Sequence, residues 1–280
     1  MKNLFSVLII LATTNIVSTG QSNSSCCQAS SIKAFTDLAN DLSFVMSHEE
    51  LVPFKLKEPK GQDITFLVDV GESGKGYYIK PKTKSNKWIF VFQEWWGLND
   101  YIRLQADNLS DSLTDVHVLA IDLYDGRVAT TREEASTYMQ GASPERIEKL
   151  IVSASDFSGA NSRIGTIGWC FGGAWSNKSA ALLSNKVTAC VMYYGMPIKD
   201  ESQIKQITAP VLGIFADKDG WITPKVVSEF KNLMQKNGKS IETYGYNNDH
   251  AFANPSNPVY DKENAEDAWK KSITFFRKNL

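Results

Sequence analysis

Arg163-Ile164-Gly165-Thr166-Ile167-Gly168-Trp169-Cys170-Phe171-Gly172-Gly173 decides the fold, because a short β-branched run passes through glycines straight into a helical pattern. The apolar run predicts a strand over 163–169, and the pattern after Cys170 predicts a helix over 171–184. Glycines on both sides of the corner let strand and helix pack closely, while the corner residue sits in a strained turn and projects into a cleft. This is the form of a nucleophile elbow with cysteine in place of serine, and the chain contains no Gly-x-Ser-x-Gly as a rival. A helix N-terminus behind the sulfur favours a thiolate, and the Phe171 amide is placed to face a developing oxyanion. The plainer alternative is a buried, inert cysteine beside a glycine-rich turn.

Outward from this corner, strands and helices alternate. Short β-branched or aromatic runs at 88–92, 116–123, 187–194, 210–216 and 240–246 suit a sheet buried on both faces. Helical patterns lie between them at 99–113, 131–155, 224–237 and 263–278. Such alternation predicts an α/β fold, a mostly parallel twisted sheet with helices on both faces and the site at the C-terminal ends of the strands. A hairpin is expected from 64–70 and 76–79 around Gly71-Glu72-Ser73-Gly74. That turn lacks the spacing and the Ser/Thr after lysine of a phosphate-binding loop. Residues 32–50 predict one or two short amphipathic helices with Phe35, Leu38, Leu42 and Phe44 on the apolar face. The expected organisation is a signal peptide at 1–20, a lead-in at 21–61 and one α/β domain at 62–280.

Charge excludes one class of partner. Lys plus Arg number 30 against 31 Asp plus Glu, so no basic excess exists to hold a phosphate backbone, and nucleic acid is not an expected partner. Lys2, the apolar run 4–12 and the small residues Ser18-Thr19-Gly20 read as an export signal, so a secreted or periplasmic location is expected. The run is too short for a membrane anchor, which needs about 20 residues. A lipoprotein alternative rests on Cys26 and Cys27, but Asn23-Ser24-Ser25 offers no apolar lipobox position. Export would allow disulfides. Cys190 falls in a strand-like run, and for Cys26 and Cys27 a vicinal bridge, intermolecular links and free thiols all stay open.

Only His48, His117 and His250 can serve as base for Cys170. His48 falls in the lead-in, and His117 in a strand suits a structural histidine. His250 follows the last strand, which makes the chain order nucleophile, acid, histidine. For the acid, Asp219 is chosen over Asp217 because it precedes the turn into the next helix, where a buried carboxylate would fix the imidazole tautomer. Asp249 reads as a loop residue. No His-Glu-x-x-His or paired Cys-x-x-Cys spacing is present, so neither metal nor cofactor is expected.

With these motifs in order, the stretch 88–280 resembles the dienelactone hydrolases, the carboxymethylenebutenolidase-type cysteine hydrolases of the α/β-hydrolase superfamily. The matching pieces are Gln93-Glu94-Trp95-Trp96-Gly97, Asp122-Leu123-Tyr124, Gly168 to Gly173, Asp219 and His250-Ala251-Phe252. The resemblance implies an α/β-hydrolase fold and a Cys170-His250-Asp219 triad. It also implies that Glu94 contacts the resting cysteine and helps generate its thiolate, with the Trp95 and Phe171 amides as oxyanion hole. Arg132 falls near the family's substrate-carboxylate arginine, beside the plainer reading of an exposed helix-start residue. The family's second arginine, four positions after the histidine, is here Asn254, a departure that removes half of a carboxylate clamp. Trp96, Trp221 and Tyr194 match aromatic pocket walls, against the alternative of core packing. The expected activity is cleavage of a small-molecule ester or lactone through a thioester; the alternatives are a thiol redox protein and a non-catalytic binding protein on the same scaffold.

Overall fold

The computed structural model describes residues 30–280. The export signal expected at 1–20 and the Cys26-Cys27 pair lie outside the described residues. Eight strands, β1 (Gln62–Asp69), β2 (Glu72–Ile79), β3 (Lys87–Phe92), β4 (His117–Ile121), β5 (Arg163–Trp169), β6 (Val187–Tyr193), β7 (Val211–Ala216) and β8 (Ile241–Tyr246), form one sheet ordered β1-β2-β4-β3-β5-β6-β7-β8. β2 runs antiparallel to both its neighbours, and every pairing from β4 through β3 to β8 is parallel. Every residue of β7 and nearly every residue of β3, β5 and β6 is buried, so helices must cover both faces of the sheet there. β8 alternates and closes the edge half-exposed.

The helices are α1 (Ser31–Thr36), α2 (Leu42–Ser47), α3 (Asp100–Ser112), α4 (Arg132–Gly141), α5 (Pro144–Ser158), α6 (Phe171–Leu182), α7 (Glu201–Gln206), α8 (Pro224–Lys236) and α9 (Lys262–Asn279). Two departures from expectation have local causes. The helix expected over 131–155 is two, because Ser143 caps a new N-terminus by accepting from the Arg146 amide and Pro144 takes the first helical position. In the hairpin, the turn is shorter than expected and β2 already begins at Glu72. Gly74 lies inside that strand because a Cβ there would sit 2.5 Å from the Phe66 ring opposite.

The lead-in is docked. A 3-10 turn (Asp37–Asn40) separates α1 from α2, and Asp41 caps α2 by accepting from the Ser43 and Phe44 amides. This break shifts the helical register, so Leu42, expected on the apolar face, is 78% exposed, whereas Phe35 and Phe44 are fully buried. Burying each ring stabilises the docked lead-in by about 1.5–3 kcal/mol. Phe35 packs on Phe171 at the start of α6, at 6.3 Å between ring centroids. The lead-in therefore lies directly over the strand-to-helix corner. Among the described residues, no helix is long and apolar enough to cross a membrane.

Candidate active site

The C-terminal ends of β3, β5, β7 and β8 deliver Glu94, Cys170, Asp219 and His250 to one place. Cys170 sits between β5 and α6 with φ 56° and ψ −118°, a region that costs on the order of 1–3 kcal/mol for a residue with a side chain. Surrounding contacts hold it there. Its amide donates to Tyr193 O at 3.0 Å, and its carbonyl accepts from Gly173 and Ala174. The flanking glycines are required by close approach, since a Cβ on Gly168 would lie 2.1 Å from Gly172 O and one on Gly172 2.2 Å from Phe92 O.

His250 Nδ1 lies 2.6 Å from Asp219 Oδ2, and both residues are buried. Asp219 is fixed through its other oxygen, Oδ1, which accepts from the Trp221 and Ile222 amides at 2.8 and 2.9 Å. Asp217 and Asp249 are exposed, as their reading as turn and loop residues anticipates. A carboxylate accepts only, so Nδ1 carries the proton and His250 Nε2 presents a lone pair. That nitrogen is buried with no hydrogen-bond partner among the described residues. Burial opposes the imidazolium, but the Asp219 charge, its hydrogen bond and Cys170 together raise His250 above its ordinary value, which makes it a strong base for the Cys170 proton. Burial likewise pushes the Cys170 thiol up, while His250 and the Phe171 amide pull it back. The thiolate thus depends on a protonated His250 beside it.

Glu94 is buried next to this pair. Burial pushes its carboxyl up to about 7, against the pull of His250, Tyr194 and Asn254. Asn254 Nδ2 donates to Glu94 Oε2, so the residue standing where an arginine was expected holds the glutamate instead. Asn254 is itself fixed, its Oδ1 accepting from the Ser256 amide and hydroxyl. A surface cleft reaches Glu94 and Asn254 past Tyr101, Gln105, Trp169 and Ser256.

The aromatic residues divide. Tyr194 and Trp221 face His250, with ring centroids 5.0 and 6.1 Å away. Trp96 is buried against Trp95 at 5.0 Å, and its carbonyl accepts from Ala129, which is a packing position. Arg132 opens α4, half-buried, with Nη1 3.6 Å from Met46 Sδ on α2. His117 is held by the Tyr78 hydroxyl at 2.6 Å and stacks on Trp88 at 4.2 Å, far from the chemistry in role. Cys190 is a free buried thiol against Ser176, and Cys170 is likewise free.

The lead-in brings two more residues to this place, Phe44, expected only on an apolar helix face, and His48, set aside as a base. Phe44 packs edge-on against Trp95, Trp221 and His250 at 5.7, 5.2 and 5.8 Å. His48 is 3% exposed, its ring 5.4 Å from that of His250. Its Nδ1 donates to Phe44 O at 2.8 Å, and its Nε2 has no hydrogen-bond partner among the described residues. Burial and the neighbouring His250 hold His48 down to about 3, so it stays neutral. One nitrogen or sulfur from each of His48, Cys170 and His250 falls in a buried group whose atoms all lie within 4.8 Å of one another. The available signal was spacing: His48 lies four residues after Phe44, one turn on along the same face.

The model of the dienelactone hydrolase family matches residues 75–280. Protein usf of Aquifex pyrophilus is 28% identical over 232 residues, covering 79% of this chain and 99% of that protein. Carboxymethylenebutenolidase 1 of Cupriavidus pinatubonensis is 26% identical over 200 residues, 66% of this chain and 83% of its own. Among solved structures, the dienelactone hydrolase of Anabaena variabilis superposes with a TM-score of 0.57 at 19% identity over 79% of this chain and 99% of its own, a likeness of fold alone.

Proposed function

The chain belongs to the dienelactone hydrolase family, and from that premise we propose that it cleaves a small carboxylic ester or lactone with Cys170 as nucleophile, His250 as base and Asp219 as the orienting acid. One observation carries the reading. A buried carboxylate 2.6 Å from His250 Nδ1 fixes the tautomer that turns the free Nε2 lone pair toward a sulfur at a strained strand-to-helix corner.

The steps follow from the groups present. The Cys170 proton passes to His250 Nε2, and the sulfur attacks the carbonyl carbon. The resulting oxyanion is held by the Phe171 amide at the head of α6 and by the Trp95 amide. Collapse expels the alcohol oxygen, which takes the proton from His250, and leaves a thioester on Cys170. Water then gives a proton to His250 and attacks the thioester; the acid departs and the sulfur recovers its proton. Glu94, poised near neutrality and held by Asn254, adjusts the charge beside the sulfur, in keeping with the role that the resemblance gives it. Arg132, half-buried with Nη1 3.6 Å from Met46 Sδ, is the guanidinium offered to a substrate carboxylate, in keeping with the role that the resemblance gives it. The export-like residues 1–20 support a reaction outside the cytoplasm.

Incubation with an aryl ester, acid quench and mass spectrometry tests the reading: an acyl group on the peptide bearing Cys170 is expected, with no turnover by Cys170→Ala. Full esterase activity in Cys170→Ala would overturn it.

A further inference from the structure

We infer that His48 Nε2, Cys170 Sγ and His250 Nε2 together form a zinc-binding site that closes the enzyme. The three side chains come from positions 48, 170 and 250, so no short metal-ligand spacing announces them in the sequence. Each is buried, and one ring nitrogen of each histidine and the Cys170 sulfur all lie within 4.8 Å of one another. Both imidazoles are already oriented as zinc ligands are. A metal-bound histidine commonly donates its other N–H to a carboxylate or a backbone carbonyl. Here His250 Nδ1 is bound to Asp219 Oδ2 at 2.6 Å, and His48 Nδ1 to Phe44 O at 2.8 Å. That leaves His48 Nε2 buried with no hydrogen-bond partner among the described residues, and His250 Nε2 with only the free Cys170 to face.

The donor set selects the ion. One thiolate and two imidazoles suit a borderline-soft cation, not magnesium or calcium, which take oxygen ligands. Tetrahedral bonds of about 2.3 Å to sulfur and 2.0–2.1 Å to nitrogen put ligand atoms roughly 3.3–3.6 Å apart. The cluster needs to contract by about an ångström at its widest to meet that. Cys170 binds as thiolate and both histidines as neutral rings, so the one proton shared by the Cys170 and His250 pair passes to buffer as the bonds form. A solvent molecule completes the fourth position.

Zinc so held occupies the sulfur and the base at once and pins α2 over them. The regulatory consequence rests on the catalytic role proposed for Cys170, whereas the metal site itself does not, and the two are separable by experiment. The full chain carrying Cys26→Ser and Cys27→Ser is titrated with Zn2+ against a chromophoric chelator, with no substrate present. One zinc per chain is expected. X-ray absorption at the zinc edge is expected to give one sulfur near 2.3 Å and two imidazole nitrogens near 2.0–2.1 Å.

His48→Gln is expected to weaken binding by more than about 100-fold, beyond what loss of a supporting hydrogen bond costs, and His48→Cys to restore tight binding with a second sulfur at the metal. Zinc is expected to protect Cys170 from iodoacetamide in the parent chain and in His48→Cys but not in His48→Gln. Absence of binding in the parent, undiminished affinity in His48→Gln, or an all-oxygen coordination shell would each overturn the site. If His48→Gln loses its thermal transition, His48→Cys decides: zinc bound with two sulfurs supports the site, and no binding overturns it. Acyl-enzyme trapping in excess chelator tests the hydrolase reading independently of every one of these results.

Discussion

Phe44→Ala removes the ring that α2 inserts among Trp95, Trp221, His48 and His250. The side chain is fully buried, and truncating such a phenylalanine costs about 3–5 kcal/mol. Because α2 is a six-residue surface element, that loss is expected as local detachment rather than global unfolding. At 1.4 kcal/mol per tenfold, about 3 kcal/mol raises the detached population roughly a hundredfold. Cys170 is 1% exposed, so its alkylation follows the detached fraction while reclosing outpaces the reagent. The assay is the rate of iodoacetamide labelling at Cys170, read by peptide mass spectrometry, beside amide exchange of residues 42–48 and a thermal melt. Labelling should rise by about two orders of magnitude, with faster exchange in α2 and a small change in the melt. Unchanged labelling despite a loosened α2 would refute the reasoning, and would mean that reagents reach the sulfur through the cleft beside Glu94 and Asn254.

Three further outcomes are expected. Asp219→Asn keeps the shape but loses the charge 2.6 Å from His250 Nδ1, so kcat should fall by on the order of 10⁴, as for the serine-protease counterpart, with an unaltered melt; a fall below tenfold would remove Asp219 from the reaction. Glu94 carries a folded-state pKa of about 7 against an ordinary 4.5, so the native protein binds the extra proton and the stability it contributes is full below pH 4.5 and lost as pH rises through 7. The full loss is about 3 kcal/mol, so Glu94→Gln should gain melting temperature over the parent at pH 8 and not at pH 4; a pH-independent difference would contradict this. Asn254→Arg puts a guanidinium in the cleft beside Glu94, and the KM of a carboxylate-bearing ester should fall about tenfold relative to its neutral analogue; an unmoved ratio would place the substrate's acid group elsewhere.

The corner at Cys170 was legible because close packing leaves so little freedom: Gly168, Gly172 and Gly173 meet backbone oxygens where any side chain would collide, and that necessity is written in the sequence. The placing of His250 and Asp219 beside each other near Cys170 was legible too, the first by elimination among three histidines and the second by its place ahead of a turn. What escaped depends on register or on contacts between distant segments. Pro144 inside an apparent 131–155 helix marks a second start only once Ser143 is seen capping it. Leu42 counts as apolar face on an unbroken helix and turns outward once Asp41 restarts the helix. Asn254 reads as a lost arginine, yet its amide holds Glu94, which no local pattern states. His48 was set aside for lying in the lead-in, and only tertiary folding brings position 48 beside 250.

The lead-in's contacts also bear on one another. Asp41 Oδ2 accepts from Trp221 Nε1 at 3.1 Å, Phe44 fills the aromatic cage, Met46 meets Arg132, and His48 faces Cys170 and His250. All four residues belong to a stretch eight residues long, in which the fully buried Phe44 ring is the main apolar anchor. A single displacement of that stretch would release the tryptophan wall, the arginine and the sulfur together, whereas a substrate arriving by the Glu94 cleft would find the arginine still bound to Met46.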